Sequence, residues 1–153
     1  MQALWRQIDD LHAALAPGYF RPASGASASS SHESSDPHAT TLVAEPDRPI
    51  RSPGDGSAPA PLRGAVLVRI YDTPADPAMV PRRRAHIEAL VVDRDHRRAG
   101  IGTALMTAAA NWARENGAAE VVLTVWAGNV AAEAFYERLG YRVVSRALTK
   151  PIV

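Results

Sequence analysis

Six residues in the middle of the chain have the spacing of an anion cradle: Arg97-Arg98-Ala99-Gly100-Ile101-Gly102, followed by Thr103. A strand-like run ends just before them and a helix-like pattern begins inside them. Backbone N–H groups at a helix start point outward without intrahelical partners, carry partial positive charge, and can be approached closely where side chains are small. The chemistry this suits is binding of a phosphate or pyrophosphate, with the amides of about residues 98 to 103 as donors and the two arginines as added charge. Two common nucleotide motifs do not fit. A dinucleotide-binding G-x-G-x-x-G needs glycine at 105, where Leu105 stands, and a P-loop needs Gly-Lys-[Ser/Thr], which is absent. A plainer reading stays open at this point, a solvated arginine pair beside glycines that only shape a turn.

The rest of the composition narrows the setting. With 153 residues, 46% hydrophobic and 22% charged, the chain has enough apolar material for one globular core. A formal net charge of +1 supplies no global field for nucleic acid or an anionic membrane, so any basic function is local. The absence of cysteine excludes a disulfide, a cysteine zinc site and a cysteine nucleophile. His12, His32, His38 and His96 show no metal-ligand spacing. Arg6, Asp9 and Asp10 interrupt the N-terminal apolar pattern, and no run approaches membrane-spanning length, so a soluble cytoplasmic protein is expected.

The elements that must position the cradle follow from periodicity. Residues 3 to 16 place Leu4, Ile8, Leu11 and Leu15 at helical spacing with Trp5 beside the stripe, and Pro17-Gly18 ends the pattern. Tyr19 and Phe20 follow, as core anchors or as the wall of a binding site. Two low-complexity stretches, about 21–40 and 46–63, are rich in Ser, Ala, Gly and Pro and read as flexible loops around a short strand candidate, Thr40 to Glu45. Gly64 to Tyr71 and Arg83 to Val92 read as strands. In the second, His86, Glu88, Leu90 and Val92 are expected on one face and Ala85, Ile87, Ala89 and Val91 on the other. A helix from about Gly100 to Asn116 then leads to a buried strand, Glu120 to Trp126, in parallel with the strand before the cradle. Asn129 caps a last helix, Val130 to Leu139, and Tyr141 to Ser145 reads as a final strand. Arg82-Arg83-Arg84 is a solvated strand start or a contact for an acidic group.

With these elements in place, the sequence resembles the GNAT superfamily of N-acetyltransferases. The family's cofactor signature, [Gln/Arg]-x-x-Gly-x-[Gly/Ala] between a strand and a helix, matches Arg97 to Gly102. A second feature matches at the right distance: Asn129, then Phe135-Tyr136-Glu137-Arg138-Leu139-Gly140-Tyr141. The two motifs lie within about residues 64 to 145. The resemblance implies a single acetyltransferase domain over 1–153, of α/β class, with a mixed, twisted central sheet and helices on both faces. GNAT domains usually begin with a strand, whereas this chain begins in a helix, so the first edge strand is lacking or lies upstream.

The resemblance also implies acetyl-CoA as co-substrate, without a metal. Arg97, Arg98, Ala99, Gly100, Ile101, Gly102 and Thr103 would hold the pyrophosphate. Backbone groups of Leu90, Val91 and Val92 would bond the pantetheine arm where the sheet splays, and Asn129 would hold that arm or simply cap its helix. The acceptor would be a primary amine on a small molecule or a protein, with no role for nucleic acid or membrane, and a homodimer is left open. An amine with a free pKa near about 10.4 must lose a proton before it attacks, and the departing thiolate is helped by an acid. Tyr136 takes the acid's place in the motif. Glu88, ahead of His86, is the candidate base, and a structural role for both stays open. Without cysteine, direct attack in a ternary complex is expected over a covalent intermediate. The alternative is a non-catalytic acyl-CoA-binding or regulatory module.

Overall fold

The structure, a computed structural model, describes residues 1–20, 36–52, 61–74 and 76–152. Among them the order is α1 (Gln2–Leu15), β1 (Ala39–Ala44), β2 (Gly64–Asp72), β3 (Arg83–Val92), α2 (Ile101–Glu115), β4 (Glu120–Leu123) and α3 (Val130–Arg138). The four strands form one sheet in the order β1-β2-β3-β4. β1, β2 and β3 run antiparallel in turn, and β4 joins β3 in parallel after the α2 crossover. This is the mixed sheet that the alternation of strand and helix patterns predicts.

Both faces of the sheet are covered, which is why β2 is buried continuously from Gly64 to Val68. On one face Leu42, Val66, Val68, Ala85 and Ile87 pack against Leu105, Met106, Ala109 and Ala113 of α2. On the other, Val43, Ala65, Leu67, Ala89 and Val91 pack against Leu4, Trp5 and Ile8 of α1. Leu105 and Trp5 are fully enclosed; truncating a side chain such as Leu105 to alanine costs about 2–5 kcal/mol.

The face assignment within β3 differs from a simple alternation. The register passes from Leu67↔Ala89 to Val68↔Ile87, so Glu88 has no partner on β2 and forms a bulge. The extra residue swaps the faces: Ala85 and Ile87 lie under α2, whereas Ala89 and Val91 lie under α1, and Leu90 and Val92 turn to the α2 side.

Other expectations are corrected too. In α1, Trp5 belongs to the buried stripe with Leu4 and Ile8, while Leu11 is exposed, because the helix meets the sheet with its first two turns. β4 ends at Leu123 and is half-buried throughout, so Thr124 to Trp126 lie outside the sheet. The strand expected at Tyr141 to Ser145 does not form; residues 141–152 carry no regular structure. Of the low-complexity stretches, residues 21–35 and 53–60 lie outside the described residues. The described part of the second is an ordered turn. There Arg51 bridges to Val43, and the buried Glu45 takes both Arg48, at 3.2 Å, and Arg51, at 2.9 Å.

Candidate functional site

The turn between β3 and α2 is held in place before it is shaped. Asp93 Oδ2 meets His96 Nδ1 at 2.8 Å, and Asp93 Oδ1 accepts from Gln7 Nε2 at 2.8 Å. Gln7 Oε1 accepts in turn from the Arg94 N–H at 3.1 Å. The Gln7 and His96 hydrogen bonds hold the Asp93 carboxyl below the usual carboxylate range. Gln7 stands 86 residues before Asp93, so no local pattern in the sequence reveals its part in the turn.

Beyond this anchor the backbone bends sharply. Arg98 adopts a left-handed φ of 62° and Gly100 one of 80°. For a residue with a Cβ, such as Arg98, that conformation costs about 1–2 kcal/mol, a strain of the kind that gathers at ligand-binding turns. Gly100 is the N-cap of α2, brings no capping side chain, and has open space beside it. The first-turn N–H groups of Ile101, Gly102 and Thr103 therefore have no hydrogen-bond partner among the described residues and could donate to an anion. Arg97 folds back, its Nε donating to the Val92 carbonyl at 3.1 Å. Gly102 serves packing: a Cβ there would stand 3.3 Å from Phe135 Cζ and 3.6 Å from Val92 Cγ2. Glycine thus lets α2 approach α3 and the end of β3, and Phe135 joins the residues that shape the site.

From this turn a notch runs down the sheet. β3 and β4 pair only from Arg84↔Glu120 to Ile87↔Leu123, so from Glu88 to Val92 the β4 side of β3 has no ladder partner among the described residues. That free edge is about 13 Å long at 3.3 Å per residue. Val91 faces β2 across its pair with Ala65, whereas the backbone groups of Leu90 face this open side and are left to bond something other than a strand. The uncapped α2 start lies at one end of the edge and Glu88 at the other.

Glu88 sits in a polar network on the α1 face of the sheet. Its Oε1 accepts from Arg69 Nε at 2.6 Å and from the Tyr71 hydroxyl at 2.8 Å, and its Oε2 accepts from a second Arg69 nitrogen at 3.4 Å. Arg69 also pairs with Asp36. Burial pushes the Glu88 carboxyl up, but Arg69 and Tyr71 outweigh it and hold it below its ordinary value. His86, whose ring lies 6.0 Å from that of Tyr71, is pushed down by burial, with the Glu88 charge opposing in part. At neutral pH the network therefore holds a charged carboxylate and an uncharged imidazole. The strand spacing placed Glu88 and His86 on one face, as observed. Arg69 and Tyr71 become visible only through the β2–β3 register.

α3 closes the other side of the notch. Asn129 caps it, Oδ1 accepting from the Ala132 N–H at 3.2 Å, which realises the plain capping role. Tyr136 packs between Phe135, at 5.1 Å, and Tyr141, at 5.7 Å between ring centroids. Burial, with a smaller effect of Tyr141, pushes its hydroxyl up to about 12, so the phenol keeps its proton across the neutral range. Tyr19 and Phe20 join neither core cluster; they pack on Trp126, at 5.2 and 4.9 Å, beside the start of α3.

Two other features stand apart from the notch. Arg83 pairs with Asp72 at 2.8 Å and Arg84 with Glu120 at 2.7 Å, at the opposite end of β3 from the cradle, so the arginine run is an ion-paired strand start. A cavity of about 370 Å³ lies between the beginning of α1 and residues 61–63, with Gln7, Asp93 and His96 in its wall. Among the described residues no group of three or more His, Asp or Glu side chains is placed to hold a metal ion. Nor is any described helix long and apolar enough to cross a membrane.

Comparison with known proteins completes the description. The family model described as "Acetyltransferase (GNAT) family" matches residues 5–141. The N-acetyltransferase family 8 member 3 of Rattus norvegicus is 31% identical over 102 residues, which is 61% of this chain and 45% of that protein. The chain spans less than half the length of the curated relatives it matches. Among solved structures, a mutant of the BH1408 protein from Bacillus halodurans aligns over 99% of this chain and 91% of its own, with a TM-score of 0.81 and 23% identity. Aminoglycoside N-acetyltransferase AAC(6')-Iy in complex with CoA aligns over 77% of this chain and 78% of its own, with a TM-score of 0.57 and 17% identity. At those identities the two structures establish the shared fold.

Proposed function

Because the chain belongs to the GNAT acetyltransferase family, we propose that it is an N-acetyltransferase that moves an acetyl group from acetyl-CoA to a primary amine, on a small molecule or a protein, by direct attack in a ternary complex. The observation that carries this reading is the free edge of β3, Glu88 to Val92, running from an uncapped helix start to a carboxylate and an imidazole. The CoA complex of the related AAC(6')-Iy fold supports the choice of cofactor.

In this reading the N–H groups of Ile101, Gly102 and Thr103, with those of Arg98, Ala99 and Gly100, bind the pyrophosphate, and Arg98 and Arg97 add charge. Leu90 and the Val92 N–H bond the pantetheine arm through the backbone, while Val91 between them faces β2 and the Val92 carbonyl holds Arg97. Asn129, its Oδ1 committed to the cap, has its amide nitrogen to offer the same arm. Acetyl-CoA supplies an acyl group already activated as a thioester. The protein supplies the proton traffic. His86, uncharged at neutral pH, accepts the proton of the incoming amine, directly or through a water, and Glu88 stabilises the imidazolium that results. Glu88 itself, held below its ordinary value by Arg69 and Tyr71, is the weaker base of the two. The Tyr136 hydroxyl, protonated throughout, donates to the sulfur as negative charge develops there.

The same lock on Glu88 favours a second reading, an acyl-CoA-binding module with little chemistry. Calorimetric titration with CoA and a thiol-release assay with acetyl-CoA across a panel of amines separate the two. Binding with thiol release on at least one amine supports the enzyme; tight binding with none supports the module.

A further inference from the structure

The α1 face of the sheet ends in a second concave site. Ala65 and Leu67 pack under α1, and the alternation of side chains carries Arg63, just before β2, to the same face. Its backbone is fixed on both sides: the N–H donates to the Ala44 carbonyl at 2.8 Å, and the carbonyl accepts from the Asp93 N–H at 2.8 Å. Its side chain lines the cavity of about 370 Å³ beside the start of α1. That volume falls within the range of small-molecule sites, about 300–1,000 Å³.

The Arg63 guanidinium is the group that gives this cavity a chemistry. Its Nε is buried and has no hydrogen-bond partner among the described residues, and no ion pair joins the side chain to a described carboxylate. A buried donor without a partner is the exception in native proteins, and this one borders a cavity. The one carboxylate in the wall, Asp93, is committed elsewhere, Oδ1 to Gln7 and Oδ2 to His96, both at 2.8 Å. Much of the remaining wall is apolar, from Leu4, Pro46, Pro61 and Leu62.

We propose that this cavity is a second binding site, for a small monocarboxylate with an apolar tail, and that its occupant steadies the β3–α2 turn. A carboxylate matches the fork of N–H donors on Arg63. The apolar wall receives the tail, and the charge of Asp93 disfavours a doubly charged phosphate in the same place. Gln7, Asp93 and His96 belong both to the wall and to the anchor of the turn, so a ligand packed against them restrains the anchor. The site is separate from the carboxylate end of the notch: Asp93 lies about 16 Å along the chain from Glu88 at 3.3 Å per residue.

Pentanoate, pentanol and pentylamine share a tail and differ in head group, so titrating each into isotope-labelled protein at neutral pH isolates the carboxylate. Pentanoate is expected to give saturable amide shifts at Leu4, Leu62 and Arg63 at millimolar concentration or below. The alcohol, the amine and inorganic phosphate are expected to bind at least about tenfold more weakly. Arg63→Met keeps the stem and removes the charge; it is expected to weaken pentanoate by about tenfold or more with the circular dichroism unchanged. With pentanoate saturating, hydrogen exchange of the Arg94 and His96 N–H groups, bonded to Gln7 Oε1 and the Asp93 carbonyl, is expected to slow about threefold or more, while that of the Glu133 N–H at the start of α3 stays unchanged. No saturable shift, equal binding of the alcohol, the amine or phosphate, an Arg63→Met variant that binds as the wild type does, or unaltered exchange at the turn would each overturn the proposal.

Discussion

The two ends of the notch are made of different material. At the α2 end, where we propose that CoA binds, the groups on offer are backbone amides, placed by left-handed φ angles at Arg98 and Gly100 and by a close approach of Gly102 to Phe135. At the Glu88 end, the proposed acceptor side, the polar groups are side chains from two strands, Arg69 and Tyr71 on β2 with His86 and Glu88 on β3. A site made of backbone is fixed by few residues and serves whichever chain can form the turn. One made of side chains can be rewritten residue by residue, which is what different acceptors would demand.

Substitutions should divide along that line. Gly102→Trp is expected to have the largest effect: the indole cannot fit against Phe135 and Val92, so CoA binding is lost and the melting transition falls, with overpacking costing about 1–3 kcal/mol. CoA affinity measured by calorimetry and found unchanged would break the distinction at the α2 end. Tyr136→Phe is expected to lower kcat about 100-fold with CoA affinity retained; a fully active variant would remove the hydroxyl from the proton traffic.

The next effect is a pH profile. With His86 as the proton acceptor, kcat is retained until pH falls through a value below the usual histidine figure of 6.5, since burial lowers the imidazole, and is lost as the ring becomes charged. In His86→Ala that acidic limb should disappear from its place. A limb unmoved by the substitution would transfer the role to another group. Arg69→Met is expected to have a smaller effect, a several-fold change in kcat with no change in CoA affinity, because it releases Glu88 and lets burial push that carboxyl up. Smallest is Gly100→Ala. There is room for the methyl, but the left-handed backbone costs about 1 kcal/mol, to be read from denaturant unfolding.

The same contrast explains what the sequence made legible. The turn and helix start at the α2 end were readable because they lie in consecutive residues, 97 to 103, and the glycine at 100 reports its left-handed backbone directly. The Glu88 end was readable only in part. Alternation put His86 and Glu88 together, yet their partners Arg69 and Tyr71 depend on which residues of β2 lie opposite, a matter of register. The bulge was invisible for a related reason: both faces of the sheet are apolar, so Ala85, Ile87, Ala89 and Val91 alternate unbroken in sequence while the bulge moves two of them to the other side. β4 read too long because Thr124-Val-Trp126 is strand-like whether or not a ladder is there to receive it. Tyr141 to Ser145 failed in the same way, a strand composition with no ladder partner among the described residues. Local composition states what a segment can do, and pairing decides what it does.

The central claim is that CoA lies along the notch, from the start of α2 to Glu88. Adding CoA to isotope-labelled protein and following backbone amide resonances tests it most directly. The expected result is that Ile101, Gly102 and Thr103 shift together with residues of the free edge between Glu88 and Val92, while amides of the Arg83 end of β3 stay in place. Binding that instead shifts residues around the cavity at Gln7 and leaves the edge untouched would contradict it.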